Sequence, residues 1–163
     1  KLIKKKDEDT FINNYYLSRV SNNNNQFSVS KNIDIIDHYI WWFKNKRDFN
    51  FYKLNNNKFA YFWSEKNNFK NKKFWTCGFH LDNKANIFEV INAYKNFIIK
   101  LKKKTKIPIL GVTEKKNKFL IKLNDDIGFK RITDKKSTEY RYLKKKYNLK
   151  KEKKFIFYKM NTI

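Results

Sequence analysis

Gly111-Val-Thr-Glu-Lys-Lys-Asn117-Lys-Phe-Leu-Ile-Lys-Leu-Asn124-Asp-Asp-Ile-Gly128-Phe129-Lys-Arg131 is the stretch whose reading decides the fold. It parses as the end of a strand, a short helix over 117–126 and a Gly-Phe turn into a further strand over 129–133. Asn117 is a good N-cap, and Gly128 sits where a helix C-terminus favours a residue without Cβ. Moving toward the N-terminus, Ile107–Thr113 is a short apolar strand, and its Pro108 lies just beyond the helix that precedes it. Before it, Ile87, Phe88, Ile91, Tyr94, Ile98 and Leu101 recur every three or four residues, which predicts a helix over 86–102 closed by a basic last turn, Lys102–Lys104. Lys73–Leu81 reads as a strand. Strand, crossover helix, strand is a βαβ unit, so 73–81 and 107–113 are expected to lie parallel in one sheet.

Farther out, 49–54 and 59–64 alternate around Asn55–Asn57, which predicts a hairpin, and Glu65–Lys72 reads as a polar turn into the third strand. Phe11–Val20 is a helix candidate, and Asn22–Asn25 is a loop. Asp34–Lys46 is a stronger helix, N-capped by Asp34, with Ile35, Ile36, Tyr39, Ile40 and Phe43 as the expected buried stripe and His38 on the polar side. Ser137–Lys151 is a basic helix candidate with Tyr140, Leu143 and Tyr147 inward, followed by a last strand over 154–160. The expectation is one α+β domain over 1–163: a mixed sheet made of an antiparallel meander plus one parallel βαβ step, flanked by helices. Residues 1–10 are expected to be a flexible charged lead, and 134–153 a basic segment before the last strand.

Of the 163 residues, 40% are hydrophobic; sixteen Phe, ten Tyr and four Trp suffice for a core short of Gly and Pro. The net charge is 39 − 15 = +24. It points to a polyanion partner, whether nucleic acid, an acidic membrane surface or a phosphorylated small molecule. The joint excess of Lys, Asn, Ile, Phe and Tyr also matches A+T-rich codons, which accounts for much of the Lys count. Phe59, Tyr61 and Trp63 among lysines suit base stacking, although their alternation equally predicts a core face. Cys77, the single cysteine, excludes an internal disulfide and fits a reducing, cytoplasmic setting. It falls on the opposite strand face from His80, so no metal site is expected. No apolar run approaches the roughly 18–20 residues of a membrane span.

Taken in order, Tyr15-Tyr-Leu-Ser-Arg19, Ser28 or Ser30, His38-x-x-Trp41-Trp42-Phe43, Val112-x-x-x-x-Asn117 and Gly128-Phe129 resemble the GNAT (N-acetyltransferase) superfamily, in particular its bacterial small-amine and amino-sugar subgroup. The resemblance implies transfer of an acetyl group from acetyl-CoA to a small amine, such as an amino-sugar nucleotide. It implies two splayed strands that expose backbone to the pantetheine arm, with Phe79, Leu81 and Asn117 on the coenzyme side. A turn into the crossover helix would meet the pyrophosphate. Here that turn is Asn83-Lys84-Ala85-Asn86-Ile87-Phe88, in which the family's glycines are absent, Lys84 offers a point charge and Asn86 can adopt positive φ. Asn124 stands where many members place a Tyr acid. His80 and Glu65 are the candidate bases, and Arg19, Ser30, His38, Trp41 and Trp42 the substrate-side candidates. The alternatives are a fold relative without catalysis that binds nucleic acid or another polyanion through its basic surface, and a structural subunit of an assembly.

Overall fold

A computed structural model describes residues 2–4, 9–21, 34–149 and 152–162. In chain order the elements are β1 (Leu2–Lys4), α1 (Asp9–Ser21), α2 (Ile35–Lys44), β2 (Asp48–Lys53), β3 (Phe59–Phe69), β4 (Lys72–Leu81), α3 (Ile87–Lys104), β5 (Ile109–Glu114), α4 (Lys118–Asp126), β6 (Lys130–Arg131), α5 (Thr138–Lys146) and β7 (Phe155–Met160). Among the described residues the strands form one sheet in the order β1-β2-β3-β4-β5-β7-β6. Its only parallel pair is β4 with β5, as the crossover helix requires. The chain forms two compact units, Lys1–Ser64 with Phe79–Tyr94 and Glu65–Gly78 with Lys95–Ile163.

In the first unit, β2 pairs antiparallel with β3 from Asp48↔Ser64 to Lys53↔Phe59. The connection is a single 3-10 turn over Asn55–Asn57, in which Asn56 and Asn57 both have φ +56°. Asparagine tolerates this left-handed geometry better than other residues with a Cβ. Strand alternation sends Phe49, Phe51 and Tyr61 to one face, where they pack with Ile12, Tyr15 and Trp42. Tyr52, Phe62, Phe79 and Tyr94 meet on the other face, with Phe62 and Tyr94 stacked at 5.8 Å. Aromatic alternation here is a core on both faces. Tyr61, 2% exposed, is no stacking platform for bases, and Phe59 and Trp63 pack beside it.

Two expectations are corrected in this unit. Leu2–Lys4 is paired as an edge strand, Leu2↔Tyr52 to Lys4↔Asn50, and α1 begins at Asp9, so these parts of the expected lead are regular structure. Helix α2 starts where expected, with Asp34 accepting from the Ile36 amide at 2.8 Å, but it turns the other way. His38 and Trp42 are buried, whereas Ile35, Ile36, Ile40 and Phe43 are exposed. An indole buries more surface than an isoleucine, and Trp42 stacks on Phe49 at 4.7 Å. The helix follows its tryptophan, and His38, one turn back, goes in with it.

In the second unit, β3 continues through Glu65 to Phe69. Only Lys70 and Asn71 make the turn, with φ +48° and +62°. Two consecutive left-handed residues form the tight hairpin connection whose twist matches that of the strands, so the polar segment 65–72 is mostly strand. β5 pairs antiparallel with β7 along its whole length, Ile109↔Met160 to Glu114↔Phe155. β7 also pairs with β6, which is shorter than the strand expected over 129–133. Asn117 and Ser137 cap α4 and α5, accepting from Leu120 N at 2.9 Å and Tyr140 N at 3.3 Å. Gly128 has φ +94°, a conformation that calls for glycine. Phe74, Leu110, Tyr140, Tyr142, Leu143, Leu149 and Phe157 form the core, so the basic segment 134–153 contains a packed helix.

Candidate functional site

The densest polar grouping of the first unit surrounds His80, near the end of β4. Alternation along the strand turns Phe79 toward Tyr94 and His80 to the opposite face, onto α1. Ser18 Oγ lies 2.8 Å from His80 Nε2. The Tyr15 ring stands edge-on at 5.8 Å from the imidazole, and the Tyr61 ring lies 5.9 Å away. Burial and the nearby Arg19 charge hold His80 down, to about 4, against the opposing pull of the Ser18 main chain and Asp82. The imidazole is therefore neutral near pH 7. Burial, reinforced by the Asp82 carboxylate, pushes the Tyr61 phenol well above its ordinary range, so it keeps its proton. Asp82 itself is fixed by accepting from Phe59 N at 2.7 Å.

His38 is the second histidine of this neighbourhood, 1% exposed among Tyr15, Tyr16 and Trp41. Burial, then the Arg19 charge, lowers it to about 4. The expectation of a histidine on the polar helix surface is thus corrected. Arg19 lies over the rings of Tyr15 and Trp41, 5.7 and 5.4 Å from their centroids. Of the substrate-side candidates, Arg19 and Trp41 are half-buried beside this group, whereas Trp42 is fully buried core. Ser28 and Ser30, like the loop Asn22–Asn25, fall outside the described residues. Ser18, Tyr15, Tyr61 and Asp82 were given no catalytic, coenzyme-side or substrate-side role from the sequence. Their signal lay in the spacing: Tyr15 and Ser18 share one helix face, and Asp82 follows His80 by two residues, just past the end of β4.

The turn before α3 takes another form than a glycine-rich cradle. Ala85 N donates to Asp82 O at 3.2 Å, and Lys84, not Asn86, takes the positive φ, +60°. Asn86 is the N-cap: its Oδ1 accepts from Phe88 N at 3.0 Å and Glu89 N at 3.4 Å, while its carbonyl accepts from Val90 N at 3.0 Å. The Glu89 carboxylate accepts from the Asn55 amide at 2.9 Å and also from the Asn55 side-chain nitrogen. The Phe88, Glu89 and Val90 amides of the first turn are already bonded to Asn86, and a carboxylate shares the same turn. These residues do not fit the diphosphate of coenzyme A.

In the second unit, the β4–β5 register comprises Trp75↔Ile109 and Thr76↔Leu110 and ends there. Both strands continue, β5 held by β7 to Glu114. A Cβ built at Gly111 would meet nothing within 4 Å, so the sheet face over this residue is open, while the ladder from β5 to β4 does not continue beyond Leu110. Asn124, at the position of the family's Tyr, is 5% exposed and donates to Thr113 Oγ1 at 3.1 Å; it anchors α4 to β5. Glu65 lies inside β3, where its carboxylate accepts from Lys146 Nζ at 2.9 Å. The same ammonium donates to Asn67 Oδ1, and Asn67 donates to Thr76 Oγ1, both at 3.0 Å. This half-buried ion pair ties α5 to the hairpin, and the expected strand-end position of Glu65 is corrected. Cys77 is buried, 7% exposed. Among the described residues no group of His, Cys, Asp and Glu could hold a metal, and no helix is long and apolar enough to cross a membrane.

No family model matches the sequence, and no curated protein matches it. Solved structures do match. The nucleotide-linked sugar GNAT FdhC superimposes with TM-score 0.67 at 10% identity, covering 98% of this chain and 86% of that one. An N-acetyltransferase from Staphylococcus aureus Mu50 gives 0.64 at 14% identity, over 100% and 99%. A GNAT-family acetyltransferase from Bacillus anthracis gives 0.62 at 13%, over 99% and 95%. With the meander, the single parallel crossover and the ladder that ends at Leu110, these likenesses establish that the chain has the GNAT fold.

Proposed function

We propose that the protein transfers an acyl group from a thioester to a small amine. The observation that carries this reading is the end of the β4–β5 ladder at Thr76↔Leu110, beside an unobstructed sheet face over Gly111. A parallel pair joined by a helical crossover gains by pairing along its length, so an early end needs a reason. An extended amide-bearing arm, such as that of pantetheine in acetyl-CoA, is suited to lie along such an edge.

The chemistry asks little of the protein. The amine nitrogen attacks the thioester carbonyl, the C–N bond forms, the C–S bond breaks and the thiolate leaves. An amine protonated at neutral pH must first lose a proton. That proton goes to bulk water; once it has attacked, the nitrogen of the adduct sheds a second proton, which Ser18 Oγ, against Nε2 of the neutral His80, relays to the ring and which then passes to the departing thiolate. Tyr61, kept protonated, serves as a hydrogen-bond donor in the same group. Arg19 and the half-buried Trp41 line the acceptor side. The +24 charge favours a phosphorylated acceptor, and a nucleotide-linked amino sugar answers that description, in line with one structural neighbour.

The test is thiol release from acetyl thioesters in the presence of nucleotide-linked amino sugars and polyamines. Amine-dependent release that is lost in His80→Ala is expected. Release no faster than the uncatalysed reaction with every amine overturns the reading.

A further inference from the structure

We propose that the acyl donor is recognised by its pantetheine arm alone, without a nucleotide diphosphate, and that Asn86 and Glu89 set this selectivity. The inference rests on the acyltransfer reading above and adds to it which part of the donor is read. Three features of the α3 N-terminus carry it. Asn86 occupies the amides of Phe88 and Glu89 with its own side chain, so they are not available to phosphate oxygens. Glu89 holds a carboxylate in that first turn, fixed there through Asn55, where its charge offsets the helix dipole that would attract an anion. Lys84 takes the left-handed position of the preceding turn, which closes on itself from Ala85 N to Asp82 O, and it brings a side chain where a phosphate cradle needs bare backbone. A diphosphate arriving here would have to displace a cap and stand beside a like charge.

The arm is a separate matter. Beyond Leu110 the edge of β5 is no longer laddered to β4, and such an edge asks of a ligand only main-chain hydrogen bonding, with the sheet face over Gly111 open beside it. A donor would thus be bound through its amides, with the nucleotide contributing only the diffuse attraction of any polyanion to a +24 protein, which salt screens. The consequence is a donor class: pantetheine thioesters with or without a nucleotide attached.

The experiment measures binding of acetyl-CoA, S-acetylpantetheine and the free phosphoadenosine diphosphate part of coenzyme A to the full chain, at low salt and at about 0.5 M salt, where screening leaves only short-range contacts. At high salt the two thioesters are expected to bind within about threefold of each other, and the free nucleotide is expected not to compete. Asn86→Gly with Glu89→Gln frees the amides and removes the charge, and it should tighten acetyl-CoA by about tenfold relative to S-acetylpantetheine. A wild-type preference for acetyl-CoA above about thirtyfold at high salt overturns the proposal and leaves acyltransfer standing. Failure of both thioesters to bind removes the acyltransfer reading, and this proposal with it.

Discussion

Two polar regions of the first unit answer differently to the same question, namely what satisfies their hydrogen-bonding groups. Around His80, the ring nitrogen faces a hydroxyl that can donate or accept, beside a phenol held protonated by burial and Asp82. At the start of α3, amides and carboxylate are bonded to fixed local partners, Asn86 and Asn55. The first arrangement can exchange a proton without rebuilding the fold. The second cannot accept an anion without dismantling a cap. A fold supplies positions for function, and local saturation of hydrogen bonds tells which positions still serve it.

The largest expected effect tests the first region. His80→Ala should lower amine-dependent transfer by about 10²–10⁴, the usual contribution of a positioned base. Ser18→Ala should lower it less and leave donor binding unchanged, if the hydroxyl relays the proton and does not hold substrate. Steady-state rates with separate donor titrations check both. Equal loss of donor affinity in the two variants would break the contrast, making the group a binding surface.

The next effect is a pH dependence. His80 and His38 are both lowered to about 4, from an ordinary value near 6.5. The unfolded chain therefore takes up protons between those values that the folded chain refuses. Stability is fully present above about 6.5 and declines as pH falls toward 4. His38→Phe removes one of the two groups while keeping an aromatic ring among Tyr15, Tyr16 and Trp41. The melting temperature of the variant should fall less steeply than that of the wild type between pH 6.5 and 4. Parallel curves would mean that His38 is not buried in its neutral form. The acid limb of the rate profile should likewise lie near 4.

Gly111→Val sharpens the comparison from the second unit. The added side chain has open space and costs the fold little, within about 0.5 kcal/mol as for an ordinary surface substitution. It would nevertheless stand on the sheet face beside the edge assigned to the arm, and donor affinity should drop by about tenfold with an unchanged melting temperature. An unchanged affinity would place the arm elsewhere.

The crossover, the Asp34 and Asn117 caps and Gly128 were legible in the sequence because each is local: spacing, an Asp or Asn before an apolar run, a glycine at φ +94°. The orientation of α2 was not, since Ile35, Ile36 and Ile40 have the right period and only packing reveals that Trp42 displaces them. His38 was misplaced for the same reason. His80 stood out as a strand-end histidine, but its partner Ser18 lies sixty-two positions away in sequence and only the tertiary fold joins them. Glu65 read as a turn residue because nothing nearby announces Lys146. Loss of the loop glycines was plain, whereas the filling of that helix end by Asn86 and Glu89 needed coordinates.

The smallest effects belong to the α3 N-terminus, and their order is informative. Glu89→Ala removes two bonds to Asn55 from a partly exposed site and should cost about 1–2 kcal/mol. Asn86→Ala strips the cap from two amides at about 1 kcal/mol, whereas Asn86→Gly costs only a few tenths, because water reaches the freed groups of a glycine cap. Chemical denaturation of the three variants measures these differences directly. The same Gly variant leaves the amides open, so its small loss of stability should come with a gain in sulfate binding that the wild type lacks. If the wild type binds sulfate at this helix end as well as Asn86→Gly does, the amides were never saturated, and the contrast between the two regions of the first unit disappears.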